Sequence, residues 1–449
     1  MTAQFMSFVG IGVLVGIGWL CSNDRAAIRW RPVLWGIALQ LALAVVVLSP
    51  VLQDFFFDIV DGGVRRLLSF AEEGMSFVFQ TVEPHQILSM EGESETFIGR
   101  VSPPVKTFAF WILPTIIFFS SLMAILYHIG LMQRLVTAVA WVMQRTMGTS
   151  GAETLSAAAN IFVGQTEAPL VVEPYVKGMT RSELHAVMVG GFATVAGGVM
   201  AAYVAFLRDI PGIAGHLVTA SIMSAPAALA FAKLLFPETE EPATAGEVQA
   251  NFVSEDRNVI EAAARGANQG MRLAINVAAM LVAFVALIAM VDWFLALVPV
   301  GFCDGGTRFG TFASLVGADG TCDPLSLSLI LGWLFSPLAF AMGVPWSEAM
   351  IVGQLLGEKI VLTEFVAYVH LGEILAADSG VVLSERSAII ASYALCGFAN
   401  FASIGIQLGG IGGIAPERMG DLAELGVRAM IAGSLAAFMT ATIAGILIG

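Results

Sequence analysis

Two Thr-Glu pairs, Thr166-Glu167 and Thr363-Glu364, carry the most telling chemistry in this chain, because each sits in an apolar stretch that cannot run as one helix. Each pair is followed by a near-copy of one tetrapeptide, Gly191-Phe192-Ala193-Thr194 and then Gly397-Phe398-Ala399-Asn400. A carboxylate at bilayer depth costs roughly 2.5–3.5 kcal/mol even on lenient scales, so it normally faces a cavity or a partner. Two such acids in corresponding places, beside interrupted helices, point to a solute site between structural repeats. The neighbours suit an uncharged polar solute. Gln165 has both a donor and an acceptor group, Thr166 a hydroxyl and Glu167 acceptors only. Glu364 can accept from a hydroxyl in a charge-assisted bond, and Asn400 and Ser403, three apart, share a helix face.

The elements that must hold these residues follow from composition. Of 449 residues 57% are hydrophobic and 12% charged, with mean hydropathy +0.83. Soluble domains carry about 25% charged residues, so the chain reads as an all-α polytopic membrane protein. Net charge −14 excludes a nucleic-acid partner, which needs basic patches. Eight segments approach the ~20 residues that cross the hydrocarbon core: 6–21, 33–52, 107–127, 184–206, 217–236, 273–299, 387–408 and 428–448. The first lacks the basic flank of a signal peptide and is kept as a span. Arg25, Arg29 and Arg31 place the following loop inside, so both termini fall outside. The acidic loop 53–105 is then external. The acidic loop 237–270 falls inside against its charge, which long loops tolerate.

Two regions between the spans are irregular. Segment 131–147 is amphipathic and expected at the interface. Segment 152–179, broken by Gly164, Pro169 and Pro174, is expected to be a re-entrant hairpin, which survives at membrane depth only inside protein or along a cavity. The second half repeats the order, with an interfacial segment at 325–342, a broken stretch at 349–376, and a span carrying Gly-Phe-Ala-Asn. The Thr-Glu pairs are 197 positions apart and the Gly-Phe-Ala motifs 206. One hairpin enters from inside and the other from outside, which makes the repeats inverted. The expected organisation is N-terminal helices and external loop 1–105, first repeat 106–236, cytoplasmic linker 237–270 and second repeat 271–449.

Other residues say less. Cys21 and Cys396 lie in apolar segments and are expected to pack. Cys303 and Cys322 bracket a Gly-rich external loop, where either a disulfide or two free thiols would fit. His85, His128, His185, His216 and His370 are scattered and expected in loops or at interfaces. With no His-Glu-x-x-His motif and no clustered histidines, an intramembrane enzyme is not supported.

At Gly164-Gln165-Thr166-Glu167-Ala168-Pro169-Leu170, Gly191-Phe192-Ala193-Thr194-Val195-Ala196-Gly197, Glu364-Phe365-Val366-Ala367-Tyr368 and Gly397-Phe398-Ala399-Asn400-Phe401 the chain resembles the concentrative nucleoside transporter family. The resemblance runs from about residue 105 to the end. It implies eight spans, two re-entrant hairpins, homotrimers in a bacterial inner membrane, and cation-coupled uptake of nucleosides. It assigns Gln165, Thr166 and Glu167 to the base and Glu364, Asn400 and Ser403 to the ribose. Val199 would lie on the base plane, and Phe398 between base and sugar. For the coupling ion it implies sodium, held by Asn160 and Thr194 side chains and the carbonyls of Val163 and Val195. Hard cations take such oxygens. Thr363 stands where many members have Asn, and Gly198 where many have Ser. The residues themselves leave proton coupling, another small polar solute, and plain helix-capping roles for Gln165, Thr166 and Asn160 open.

Overall fold

The computed structural model describes residues 3–79, 86–88, 94–96, 108–244, 256–298, 300–303, 306–309, 322–376 and 382–448. Its first helices are α1 (Ala3–Leu20), α2 (Trp30–Leu48) and α3 (Pro50–Phe79). The third departs from expectation. Residues 53–79 fall within the expected acidic loop, yet Asp61 and Arg65 pair at i,i+4 along one continuous helix. Its charges sit on one face and its apolar residues on another, so acid content alone misled. Beyond it, Gln86–Leu88 pairs antiparallel with Ser94–Thr96.

A π-turn at Phe108–Ile112 leads into α4 (Leu113–His128) and the amphipathic α5 (Leu131–Met147). In α5 Met132, Val136, Ala140, Met143 and Met147 are buried, a spacing of three and four residues that presents one apolar stripe inward. The first hairpin follows: α6 (Gly151–Ala159), a non-helical stretch 160–167, a 3-10 turn Ala168–Val172 and α7 (Glu173–Val176). Ser150 N donates to Glu153 Oε1 at 2.8 Å, which satisfies the amide just before α6 begins.

The span expected at 184–206 is interrupted. It consists of α8 (Arg181–Ala193) and α9 (Gly197–Phe206), separated by extended backbone at Thr194 and Ala196. Next come α10 (Ile213–Leu235) and the 37-residue α11 (Val259–Leu295). Gly266 and Gly270 on α11 meet the backbone of α4 so closely that a Cβ would lie 2.6 Å from Ser120 O and 2.7 Å from Ile117 Cα. Small residues four apart let two membrane helices pack backbone to backbone.

The second half runs α12 (Leu327–Ala341), α13 (Trp346–Val361), α14 (Glu364–Leu375), α15 (Glu385–Leu395), α16 (Phe401–Ile414) and α17 (Met419–Leu447). Helices α12 and α13 bend by 119°. Helices α13 and α14 meet at Leu362-Thr363 and form the second hairpin. The span expected at 387–408 is again two short helices, α15 and α16, with non-helical backbone between them. Counting α8 and α9 as one stretch, seven of the eight expected spans coincide with described segments long and apolar enough to cross a membrane; the eighth is the α15–α16 pair.

Several single residues depart from expectation. His185 and His216 are buried within α8 and α10, and His370 sits on α14 bonded to Glu358 at 2.9 Å. None of the three is in a loop; His85 lies outside the described residues. Cys396 is buried but Cys21 is exposed at the end of α1, where the chain turns away from the helix stack. Strand Val300–Cys303 pairs with Gly306–Phe309 and with Cys322–Pro324, with Cys303 opposite Cys322 in register. The side chains of Cys303 and Cys322, and with them the disulfide question, lie outside the described residues.

Candidate functional site

Both breaks open onto one cavity of about 1090 Å³. Gln165, Thr166, Glu167, Val199, Glu364, Phe398, Asn400 and Ser403 all line it. Residues from positions 165 to 403 converge because each hairpin tip reaches the broken span of the opposite repeat. Gln165 Nε2 on the first hairpin donates to Ser403 Oγ on α16 at 3.1 Å. Glu364 on the second hairpin accepts from Tyr203 Oη on α9 at 3.0 Å.

The two acids are held differently. Glu364 is 4% exposed and accepts a second bond, from Asn400 Nδ2 at 2.8 Å. Hydrogen bonds to a charged group contribute about 1.5–3 kcal/mol each. Two of them offset the roughly 2.5–3.5 kcal/mol of placing a carboxylate at that depth. Glu167 instead faces the open cavity, with Gly164 beside it; a Cβ there would lie 2.6 Å from Glu167 Oε2. Asn400 also caps α16, its Oδ1 accepting from Ser403 N at 2.8 Å, so both ends of its amide are used. Thr363 caps α14 through Val366 N and lines the cavity as well.

The expected ion ligands lie where the first hairpin meets the α8–α9 break, with Val163 at the cavity wall. Asn160 is fully buried; its Nδ2 donates to Ser156 O at 3.1 Å, and its Oδ1 has no partner among the described residues. Thr194 Oγ1 donates to Gly190 O at 2.9 Å, and a Cβ on Gly190 would lie 3.1 Å from Asn160 Nδ2. The two side chains therefore converge on Gly190. Gly197 N donates to Phe162 O at 3.2 Å, stitching the two breaks together. The carbonyls of Val163 and Val195, both in non-helical backbone, accept no backbone hydrogen bond among the described residues. A buried amide oxygen without a donor, and carbonyls outside the backbone ladder, are oxygens of the kind a hard cation takes.

Three residues behind the lining went unread in the sequence. Tyr203 lies four after Val199, and Gln407 four after Ser403, each on the same helix face as that lining residue. Gln407 Nε2 donates to Gln165 Oε1 and to Met188 O, both at 3.1 Å, fixing the Gln165 amide from behind. Lys359 is buried on α13, its Nζ 2.7 Å from Ala394 O. At Gly198 a Cβ would meet Ser120 Oγ at 3.2 Å, so glycine there lets α9 press on α4.

Comparison with known proteins identifies the family. Residues 216–445 match the family described as "Na+ dependent nucleoside transporter C-terminus", and residues 9–82 match its N-terminus. Residues 109–209 match "Nucleoside recognition". The chain belongs to the concentrative nucleoside transporter family. An uncharacterized transporter of Haemophilus influenzae is 43% identical over 448 residues, covering 99% of this chain and 97% of that protein. Solute carrier family 28 member 3 of Rattus norvegicus is 42% identical, and sodium/nucleoside cotransporter 1 of Mus musculus 39%. The chain spans 59% and 64% of those two mammalian relatives. The structure of CNTnw in an inward-facing substrate-bound state superposes with TM-score 0.83 at 43% identity, over 99% of this chain and 98% of that one. As a member of this family the chain is an integral membrane transporter and not an enzyme.

Proposed function

We propose that the chain imports nucleosides by sodium symport, with the cavity between the hairpins as the carrier site. The observation that carries this reading is the convergence of Gln165, Glu167, Glu364, Asn400 and Ser403 on one cavity inside a family of Na+-dependent nucleoside transporters. Gln165, Thr166 and Glu167 would meet the base edge, with Val199 on its face. Glu364 and Asn400, already paired, would accept from and donate to ribose hydroxyls while Ser403 completes the set. Phe398 would separate base from sugar.

Sodium would sit at Asn160 and Thr194 with the Val163 and Val195 carbonyls. It would brace the first hairpin that presents Gln165, Thr166 and Glu167, so ion and nucleoside would each favour binding of the other. One cation crossing 100 mV supplies about 2.3 kcal/mol. A tenfold gradient adds about 1.4 kcal/mol, enough for accumulation on the order of 500-fold. We place the carrier in a bacterial inner membrane as a homotrimer. Apolar residues exposed along α11, among them Ile275, Val282 and Val285, offer surface to lipid or to neighbouring subunits. The four-part organisation at 1–105, 106–236, 237–270 and 271–449 stands as part of this reading.

Competition for radiolabelled uridine binding to the purified protein tests the substrate class. Nucleosides should displace uridine in sodium buffer, and nucleobases or amino acids should not. Displacement by an amino acid instead would overturn the assignment.

A further inference from the structure

In both repeats two helix C-termini meet at membrane depth. In the first, α6 ends at Ala159 and α8 at Ala193; in the second, α13 ends at Val361 and α15 at Leu395. Helix C-termini leave carbonyls unpaired and carry partial negative charge, so each meeting place favours a cation. Neither α6 nor α8 has a basic residue in its last turn. The α13 helix does: Lys359.

Lys359 is fully buried, and its ammonium donates to Ala394 O, in the last turn of α15, at 2.7 Å. It also lies over the Phe438 ring, 5.5 Å from the centroid. It thus serves the ends of its own helix and of α15 together. An isolated buried ammonium is costly unless paired. Glu364 follows five residues along, at the start of α14.

We infer that Lys359 is a tethered cation, the second repeat's covalent counterpart of the ion that the first repeat must bind from solution. It positions the α15–α16 break, and with it Asn400, against Glu364. The comparison between repeats rests on the sodium reading given above; the role of the charge on Lys359 can be read without it.

The test uses the purified full-length protein. Hydrogen–deuterium exchange of backbone 396–400 is followed in potassium buffer without nucleoside, so it does not depend on the proposed substrate or ion. Lys359→Met should speed exchange there about tenfold or more, the loss expected for one charged hydrogen bond. Lys359→Gln, which keeps a neutral donor, gives the same reading if the Met variant does not fold. In Lys359→Ala, propylammonium should restore protection and uridine affinity, and propanol, matched in shape but neutral, should not. Wild-type protection in the Met or Gln variant overturns the inference. So does a loss relieved equally by propanol, or by neither compound, since either means packing alone. Failure of the wild-type protein to bind uridine would count against the nucleoside reading and leave the exchange result standing.

Discussion

Asn400 donates to Glu364 at 2.8 Å while its own Oδ1 caps α16, so one amide ties the second hairpin to the helix that follows the break. The ribose end of the proposed site is therefore built before any solute arrives. At the base end Gln165 is held by Ser403 and Gln407, while Glu167 faces the open cavity.

This asymmetry separates two substitutions. Glu364→Gln removes a charged acceptor from a pinned pair and should weaken nucleoside binding roughly 10- to 150-fold, from about 1.5–3 kcal/mol. Glu167→Gln should weaken binding comparably but leave the apo protein's melting temperature unchanged, because Glu167 holds nothing in place there. Glu364→Gln should lower that temperature. Equilibrium binding and thermal unfolding of both variants check the difference.

Tyr203→Phe removes one of the two bonds to Glu364 and keeps the ring stacked on Tyr368, 4.1 Å between centroids. We expect nucleoside affinity to fall about tenfold, at the lower edge for a charged hydrogen bond. Isothermal titration on the folded oligomer measures it.

Much of this was legible in the sequence. The pairs at 166–167 and 363–364 fixed the hairpin tips, and the Gly-Phe-Ala motifs fixed the facing breaks. Hidden were contacts between repeats. Gln407 and Tyr203 look like ordinary membrane-helix residues until the fold brings Gln165 and Glu364 against them. The helical nature of 53–79 was hidden for another reason: acidic residues on one side of a helix resemble an acidic loop when only composition is counted. The breaks inside 184–206 and 387–408 were masked by unbroken hydrophobicity, since extended backbone at membrane depth is stabilised by neighbours.

Gly397 has φ +139, and a Cβ there would lie 2.7 Å from Phe192 O and 2.9 Å from Ala193 O. The two Gly-Phe-Ala motifs thus touch each other. Gly397→Ala would combine backbone strain, of order 1–3 kcal/mol, with a clash against the first motif. We expect a lower melting temperature and loss of uptake. An alanine variant with wild-type stability would contradict the packing described.

Topology is checked by cysteine labelling from either side of oriented vesicles. A cysteine at Arg25 or Arg29 should react only with reagent from the cytoplasmic face. One at Ser94, Glu95 or Thr96 should react only from outside. The reverse pattern would remove the inverted-repeat orientation.

If Asn160 and Thr194 ligate sodium, Asn160→Ala should raise the sodium concentration needed for uptake. It should also weaken nucleoside binding at fixed sodium, because coupling between two ligands is reciprocal. Sodium titrations of uridine binding in the variant and the wild type measure both effects.

The central claim is that nucleoside movement is driven by sodium through this cavity. The most direct measurement is uridine accumulation in proteoliposomes of the purified protein, with sodium gradient, pH gradient and membrane potential imposed separately. We predict concentrative uptake only with external sodium, steepened by an inside-negative potential and abolished in Glu364→Gln. Robust accumulation driven by a pH gradient alone, in sodium-free buffer, would contradict it.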